Sequence, residues 1–259
     1  MKILVCNDDG ILAPGLAALR SCVADVGEVT VVAPDTPQSA AGHAITLTHP
    51  LTVQHVHVGE GAWSFDGISI DGRPADCVRL AVRNLMEAAP DLVLSGINAG
   101  ANVGVNVFYS GTVAAAVEAV MCGIPAVAFS AKMTGGTADF ARCSRLCRWV
   151  LDRLLAGPMS REVVINVNIP LLKEGWPIGV RVCCQSTAGL DDRYHLVDES
   201  APGRAYRLSE TYGFFPTEHE TDVTALDEGY ITITPLHVDL TSRTNMAKLE
   251  EIPWGAPPA

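Results

Sequence analysis

Two adjacent carboxylates, Asp8 and Asp9, follow a short apolar run from Ile3 to Cys6 near the start of the chain, and Gly10 comes next. A strand that ends in two acids places negative charge at the carboxyl edge of a sheet, where open α/β folds bind ligands. Neighbouring carboxylates repel each other unless a cation or a proton lies between them, so the pair indicates a metal site. The same residues would also suit a simple turn or a helix cap, and these residues alone do not decide between the two interpretations.

A second polar loop, residues 33–43, follows the next strand-like run and contains Ser39 and His43. In a doubly wound sheet this loop would emerge at the same edge as the carboxylates. A hydroxyl is a weak neutral ligand that Mg²⁺ or Mn²⁺ accepts when carboxylates supply the charge, although a serine here is also typical of a turn. Because histidine titrates near neutrality, His43 and His237 are candidate acids for a leaving oxygen, and a structural role suits each of them as well.

A third loop, residues 95–104, carries glycines at every fourth position. This spacing fits neither the dinucleotide fingerprint nor the P-loop, whose terminal Gly-Lys-Ser/Thr is absent. The loop offers two amides, Asn98 and Asn102, on a backbone that a ligand can approach closely. A connecting loop rich in Asn and Gly would look the same.

The segment Ser110, Gly111 and Thr112 stands directly before an alanine-rich run at residues 113–120. A hydroxyl cap at the start of a helix leaves backbone N–H groups free, with the positive end of the helix dipole behind them. Such a helix terminus is suited to a phosphate group. Plain capping explains Ser110 equally well when it is taken alone.

The elements that must position these residues alternate between strand and helix through most of the chain. The alternation predicts an α/β fold, doubly wound and Rossmann-like, with a mostly parallel sheet and helices on both faces. The predicted strands are 2–7, 28–33, 91–95, 126–130 and 163–169. The predicted helices are 16–23, 75–86, 112–122 and 138–155.

The pattern changes near residue 180 to short β-rich pieces separated by polar loops. These pieces lie at 179–185, 205–208, 211–214 and 230–234. A lone two-stranded hairpin is marginal in water, so the region is predicted to form an arm that packs on another subunit. We therefore expect one domain made of a catalytic core, residues 1–180, and a C-terminal β-rich extension, residues 181–259, with a frayed tail from Pro253 to Ala259.

The amino-acid composition and the net charge limit the classes of molecule that this protein can bind. The chain has 259 residues, 48% of them hydrophobic, and a formal net charge of −11. A nucleic-acid backbone or an anionic membrane calls for a basic face, so both are disfavoured, whereas a small anionic substrate can still bind locally. No uninterrupted apolar stretch reaches the roughly 18 residues of a membrane span, and the start of the chain lacks a signal-peptide pattern, which predicts a cytoplasmic location.

The eight cysteines are predicted to be reduced, because they are spread along the chain without a Cys-x-x-Cys pair. Cys143 and Cys147 stand four residues apart on a predicted helix, which could place two sulfur atoms on one face for a metal. Apolar residues share that face at helical spacing, so the pattern favours core packing.

Five sequence blocks stand out along the chain: N-D-D-G at 7–10, P-Q-S-A-A-G-H-A-I-T at 37–46, S-G-I-N-A-G-A-N-V-G at 95–104, Y-S-G-T-V at 109–113 and I-T-P-L-H-V-D-L-T at 233–241. Together these blocks resemble the survival protein E (SurE) family of metal-dependent nucleotidases. The resemblance implies one divalent ion per subunit, Mg²⁺ or Mn²⁺, held by Asp8, Asp9, Ser39 and Asn98. It also implies a phosphate group surrounded by Asn102, Ser110, Gly111 and Thr112.

The resemblance implies a phosphomonoesterase that acts on nucleoside 5′-monophosphates, on 3′-monophosphates and on short polyphosphate, and that works as a homodimer or homotetramer. Asp8 is expected to orient or deprotonate the attacking water, with Asp9 chiefly a ligand. Two other functions stay open. One is a phosphatase that forms an aspartyl-phosphate on Asp8, although that class usually spaces its acids as D-x-D. The other is a nucleotide-binding module without turnover.

Overall fold

A nine-stranded sheet forms the centre of the computed structural model, which describes residues 1–134, 138–199, 203–209, 213–217 and 219–255. The strands of this sheet are β1 (Lys2–Cys6), β2 (Glu28–Pro34), β3 (Val53–Val58), β4 (Phe65–Ile70), β5 (Leu92–Ala99), β6 (Ala126–Ala131), β7 (Val163–Ile169), β8 (Gly179–Val182) and β13 (Tyr230–His237). The smaller strands are β9 (Leu190–Asp191), β10 (Tyr194–Asp198), β11 (Ala205–Leu208) and β12 (Gly213–Phe214). The helices are α1 (Pro14–Cys22), α2 (Pro74–Leu80), α3 (Gly111–Met121), α4 (Phe140–Leu155), α5 (Asp222–Asp227) and α6 (Arg243–Glu250).

The strand order is β3-β4-β2-β1-β5-β6-β7-β13-β8, with β1 near the middle of the sheet. Parallel pairs join β1 to β2 and β5, and continue through β6 to β7, while β3 and β13 run antiparallel to β4 and β7. This topology confirms the predicted doubly wound, mostly parallel α/β sheet. Strands β8 and β13 belong to the same sheet, so the boundary predicted near residue 180 falls within it.

Helices cover both faces of the sheet because apolar residues point to both sides of each central strand. Ile3 and Val5 of β1 pack in one core cluster with α1 and α4, whereas Leu4 and Cys6 pack in a second cluster with α2 and α3. Near-continuous apolar strands of this kind are typical of a sheet that is buried on both faces. None of the described helices combines the length and the apolar character that a membrane crossing requires.

Helix α4 illustrates how the sequence period fixes packing. Cys143, Cys147, Val150 and Leu151 recur at helical spacing and are buried on the face that meets the sheet. Burial raises the pKa of the Cys143 thiol to about 12, which keeps it protonated. Core packing of this cysteine pair is therefore confirmed, and among the described residues no group of three or more His, Cys, Asp or Glu could hold a metal.

Strand β5 is longer than predicted and includes the start of the glycine-rich segment. Its pairing with β6 continues past a register shift between Ser95 and Asn98. Gly96 lies there with a φ of +127°, and a Cβ atom on it would come within 2.2 Å of the Phe129 carbonyl oxygen. Only glycine permits this close approach of two backbones. The pairing carries Asn98 and Ala99 to the edge of the sheet inside a strand rather than in a free loop.

The hairpin of β10 and β11 is the exposed arm of the molecule. The two strands pair antiparallel, and every one of their residues is exposed. Of the predicted strand 211–214, residues 213 and 214 form β12, and residues 211 and 212 lie outside the described residues. The predicted frayed tail lies outside them from residue 256 onward, as does Pro202, which precedes the predicted β-rich piece at 205–208.

We expect this protein to assemble through its C-terminal extension. Tyr194, Val197 and Tyr206 of the arm are more than half exposed. A two-stranded hairpin that buries so little apolar surface is only marginally stable by itself. Sedimentation at micromolar concentration should give at least twice the 27.4 kDa mass of one chain. A mass of one chain at every concentration would contradict this prediction.

Candidate active site

Six of the predicted site residues line one small cavity, which we call the acidic cavity. They are Asp8, Asp9, Ser39, Asn98, Asn102 and Ser110. The cavity has a volume of about 220 Å³, and Ala40, Asn106, Tyr109 and residues 99–101 complete its wall. The ends of β1 and β5, the loop after β2 and the start of α3 meet here, as the edge of a doubly wound sheet requires.

Asp8 is almost completely buried beneath the first turn of α3. The Thr112 hydroxyl donates a hydrogen bond to Asp8 Oδ1, and Asp8 is only 5% exposed. Burial raises the pKa of Asp8 to about 6; hydrogen bonding to Thr112 lowers it in part, and the charge of Asp9 raises it further. A cation beside the two carboxylates would reverse this shift, since it favours the charged form.

Asp9 is fixed by the end of β5. Its Oδ2 accepts a hydrogen bond from the Ala99 N–H at 3.0 Å. Burial raises its pKa, and this hydrogen bond lowers it in part. Directly before the acids, the buried side chain of Asn7 donates to the Gly10 carbonyl and accepts from the Gly10 N–H, at 3.0 and 3.2 Å. The turn that presents both carboxylates is therefore held from inside.

The neutral oxygen donors of the predicted metal site come from two other segments. The Asn98 amide nitrogen donates to the Gly100 carbonyl at 2.8 Å, which leaves the side-chain oxygen as the acceptor that can bind a cation. Ser39 is exposed at the rim of the cavity. Two carboxylates, a hydroxyl and an amide oxygen are a donor set suited to Mg²⁺ or Mn²⁺.

The start of α3 lies against the carboxylates. Ser110 caps the helix, and its Oγ accepts from the Val113 N–H at 3.1 Å. A Cβ atom on Gly111 would lie 2.6 Å from Asp8 Cβ, so this glycine allows the helix to approach the acid. Gly111 and Thr112 were predicted to surround the phosphate; the structure places both against Asp8, and only Ser110 of the three lines the cavity.

Asn102 is held by buried side chains of the sheet. Its side-chain amide donates to Ser130 Oγ at 2.8 Å, and its backbone is bonded to Asn166 and Asn168 of β7. These three residues were not predicted from the sequence. For Asn166 and Asn168 the signal was the alternation Asn-Val-Asn within an apolar strand, because a buried amide without a partner is costly.

The loop that carries Ser39 is anchored along its length. The Gln38 N–H donates to the Asp8 carbonyl at 2.7 Å, and the Gly42 N–H donates to the Tyr109 carbonyl at 2.9 Å. Farther along, Thr46 Oγ1 donates to Asp76 of α2 at 2.7 Å. These contacts hold the loop over the acidic cavity.

The two candidate histidines lie elsewhere. His43 Nε2 is 2.9 Å from Glu118 Oε2, and Arg79 donates to the other oxygen of Glu118 at 2.7 Å. Burial alone would raise the pKa of Glu118, but hydrogen bonds from His43 and Arg79 outweigh it and hold the pKa below its ordinary value. His43 therefore ties the Ser39 loop to the middle of α3.

His237 stands at the exposed end of β13. It lines, with His43 and Ser110, a larger and mostly apolar groove of about 730 Å³ that includes neither Asp8 nor Asp9. Among the described residues, no histidine lines the acidic cavity. The two histidines therefore line the groove and not the acidic cavity, Ser110 is common to both, and the smaller cavity is the one that gathers the carboxylates.

We expect Ser110→Ala to weaken both the helix cap and phosphate binding. Loss of the cap should cost about 1 kcal/mol of stability, and loss of a donor in the cavity should cost about 1 to 3 kcal/mol of transition-state stabilisation. Asp139→Ala, which removes the cap of α4 on the opposite face, is the matched control, since Asp139 accepts from the Arg142 N–H at 2.9 Å. If both variants lose only thermal stability, and catalytic efficiency and phosphate inhibition stay unchanged, Ser110 is a cap alone.

Comparison with known proteins identifies the family. The family model described as "Survival protein SurE" matches residues 3–192, which include every residue of the acidic cavity. A protein of Christiangramia forsetii named 5′-nucleotidase SurE is 40% identical over 240 residues, covering 93% of this chain and 92% of its own. The protein of the same name from Citrifermentans bemidjiense is 39% identical over 259 residues, covering 99% of this chain and 100% of its own.

A solved structure agrees with these sequence matches. The crystal structure of the SurE protein from Aquifex aeolicus superimposes with a TM-score of 0.80 at 36% identity, covering 97% of this chain and 100% of its own. Because the match covers nearly the whole chain, it extends beyond the parallel core into the C-terminal extension. This chain belongs to the survival protein SurE family.

Proposed function

We propose that this chain is a divalent-metal-dependent 5′-nucleotidase, which hydrolyses nucleoside 5′-monophosphates to a nucleoside and phosphate. One observation carries the proposal: the buried carboxylate of Asp8, the half-buried carboxylate of Asp9, two neutral oxygen donors and the capped start of α3 all meet in the acidic cavity. The relatives named 5′-nucleotidase SurE support the same activity.

The size of the cavity supports a substrate that is only partly enclosed. At about 220 Å³ the acidic cavity is smaller than the roughly 300 Å³ at which pockets begin to enclose a whole small ligand. A phosphoryl group fits within it, while the nucleoside extends past Tyr109 and Ser39 at the exposed rim. The enclosed part of the substrate is thus common to 5′-monophosphates, 3′-monophosphates and short polyphosphate, and all three belong to the proposed range.

The donor set fits a hard divalent cation. Asp8 and Asp9 supply the negative charge, and Ser39 and Asn98 supply neutral oxygens, so these four residues would hold one Mg²⁺ or Mn²⁺. Burial raises the pKa of both carboxyl groups, which is the state expected of a paired acid site that a cation stabilises. When bound, a divalent cation supplies charge neutralisation and polarises a phosphoryl oxygen.

The residues of the chain orient the reactants. Asp8 accepts a hydrogen bond from the attacking water, and its carboxylate takes the proton as the new P–O bond forms. Asn102 and Ser110 donate to the phosphoryl oxygens, where charge develops in the transition state. The bond to the nucleoside oxygen breaks, and this oxygen leaves as an alcohol after it takes a proton from solvent. We further propose that the enzyme works as a homo-oligomer in the cytoplasm.

An add-back assay tests this function. The protein is stripped with a chelator, single divalent ions are restored, and phosphate release is measured from nucleoside 5′- and 3′-monophosphates, short polyphosphate and an aryl phosphate. We expect activity to return with Mg²⁺ or Mn²⁺ and to be highest on a 5′-monophosphate. Full turnover in chelated buffer, or no phosphate release from any nucleotide with any ion, would contradict the proposal.

A further inference from the structure

We infer that Asn166 and Asn168 of β7 are positioning residues for catalysis, which hold Asn102 so that its side chain faces the phosphoryl group. The inference rests on the proposed function of the acidic cavity. Neither asparagine lines that cavity, and in the described part of the chain their side-chain hydrogen bonds go to the backbone of Asn102, which does line it.

The two asparagines are unusual for their place in the fold. Both are completely buried in a central strand whose other residues are apolar, and their spacing of two puts them on the same face of the sheet. Burying an amide costs free energy unless it forms hydrogen bonds. A strand of valine and isoleucine would pack here at no such cost, so these polar side chains need another explanation.

Their hydrogen bonds converge on the backbone of one residue, Asn102. Asn168 Oδ1 accepts from the Asn102 N–H at 2.8 Å. The side-chain nitrogens of Asn166 and Asn168 both donate to the Asn102 carbonyl, at 2.8 and 3.1 Å. Both polar groups of the Asn102 backbone are therefore fixed by side chains, where a loop at a sheet edge would otherwise rely on solvent.

The Asn102 side chain is oriented in the same way. Its amide donates to Ser130 Oγ at 2.8 Å, and Ser130 is the neighbour of Asn168 in the pairing of β6 with β7. One amide hydrogen is used by Ser130, so the remaining donor and the oxygen are available to the cavity that Asn102 lines. Because the side chains of Asn166, Asn168 and Ser130 are neutral, they hold the loop at Asn102 without adding charge beside Asp8 and Asp9.

Three single substitutions form a graded test. Asn168→Val removes two of the three hydrogen bonds to the Asn102 backbone, and Asn166→Val removes one. Asn166 Oδ1 has no hydrogen-bond partner among the described residues, so Asn166→Val also removes an unpaired buried oxygen and is expected to fold. The control is Thr232→Val, because Thr232 is the buried pairing neighbour of Asn168 and its hydroxyl is likewise unpaired in the described part of the chain.

Each variant is assayed with saturating Mn²⁺ and AMP, well below its melting temperature. We expect kcat/KM to fall about 10- to 100-fold in Asn168→Val, through both a lower kcat and a higher KM, and by a smaller factor in Asn166→Val. The Thr232→Val protein should match wild type. Inhibition by inorganic phosphate should weaken most in Asn168→Val and less in Asn166→Val. The dissociation constant for Mn²⁺ should stay within about threefold of wild type, because a typical lost hydrogen bond would change it by more than that.

Several results would overturn the inference. One is a folded Asn168→Val or Asn166→Val protein with unchanged kcat/KM and phosphate inhibition, and another is a loss of Mn²⁺ affinity parallel to the loss of activity. If wild type hydrolyses no nucleotide, the proposed function fails separately, and calorimetric binding of inorganic phosphate to the Mn²⁺-loaded proteins still decides the positioning role: weaker binding in the order given supports it, and equal binding contradicts it.

Discussion

The Asp9→Asn protein should lose nearly all phosphatase activity and yet remain folded. The substitution keeps the shape of the side chain and an oxygen that can accept from the Ala99 N–H. It removes half of the formal negative charge that Asp8 and Asp9 offer to a cation. We therefore expect activity to fall by about 100-fold or more. A loss of that size exceeds the effect of replacing a residue that only hydrogen-bonds to a metal ligand.

Thermal melting separates this effect from unfolding. Burial raises the pKa of Asp9, so the ionised side chain disfavours the metal-free folded state at neutral pH, and a neutral amide removes that cost. In chelated buffer the variant should melt at or above the wild-type temperature. Added Mn²⁺ should raise the melting temperature of wild type and leave that of the variant unchanged. Asp35→Asn, at an exposed acid that follows β2 at the same edge, is the matched control.

Gly111→Ala should disturb the acidic cavity directly, because the start of α3 lies against Asp8. The added Cβ would lie 2.6 Å from Asp8 Cβ, 2.9 Å from Asp8 Oδ2 and 3.0 Å from Pro74 Cγ. Either α3 or Asp8 must move, and a displacement of about 1 Å at a reacting group can cost 100-fold in rate. The overpacking should also cost about 1–3 kcal/mol of stability.

The readout is kcat/KM together with the melting temperature. Gly157→Ala is the control, because a Cβ there meets nothing within 4 Å. Full activity in Gly111→Ala would show that the start of α3 does not need its close contact with Asp8. A loss of activity of equal size in both variants would show that the effect is not local to the acid.

The sequence was sufficient to predict the central topology, because apolar runs and helical spacing persist through most of the chain. It missed β3 and β4, the two outer strands on one side of the sheet. In β3 the exposed His55 and His57 alternate with valines, and β4 contains Gly67, which is depleted in strands. These strands exist because they pair with each other and with β2, a tertiary effect that local composition understates.

Within the candidate site, residue types were easier to predict than contacts. Asp8, Asp9 and Ser110 were identified by type and position, and the structure brings them to one cavity. Thr112 was assigned to the phosphate, yet its hydroxyl faces Asp8, because the first turn of α3 packs directly on that acid. Which side of a helix terminus meets a neighbour depends on how the helix crosses the sheet, and the local sequence does not encode that angle.

Helix α3 ties the acidic cavity to the buried core of the molecule. Nearly all residues of the helix are buried, so solvent reaches its backbone only when the whole domain unfolds, whereas the exposed arm of β10 and β11 can open at little cost. Asp8 is bonded to this helix through Thr112, and the Ser39 loop is bonded to it through Glu118. We therefore expect amide hydrogen exchange around the carboxylates to follow the global free energy of unfolding, and melting of the arm to leave the cavity intact.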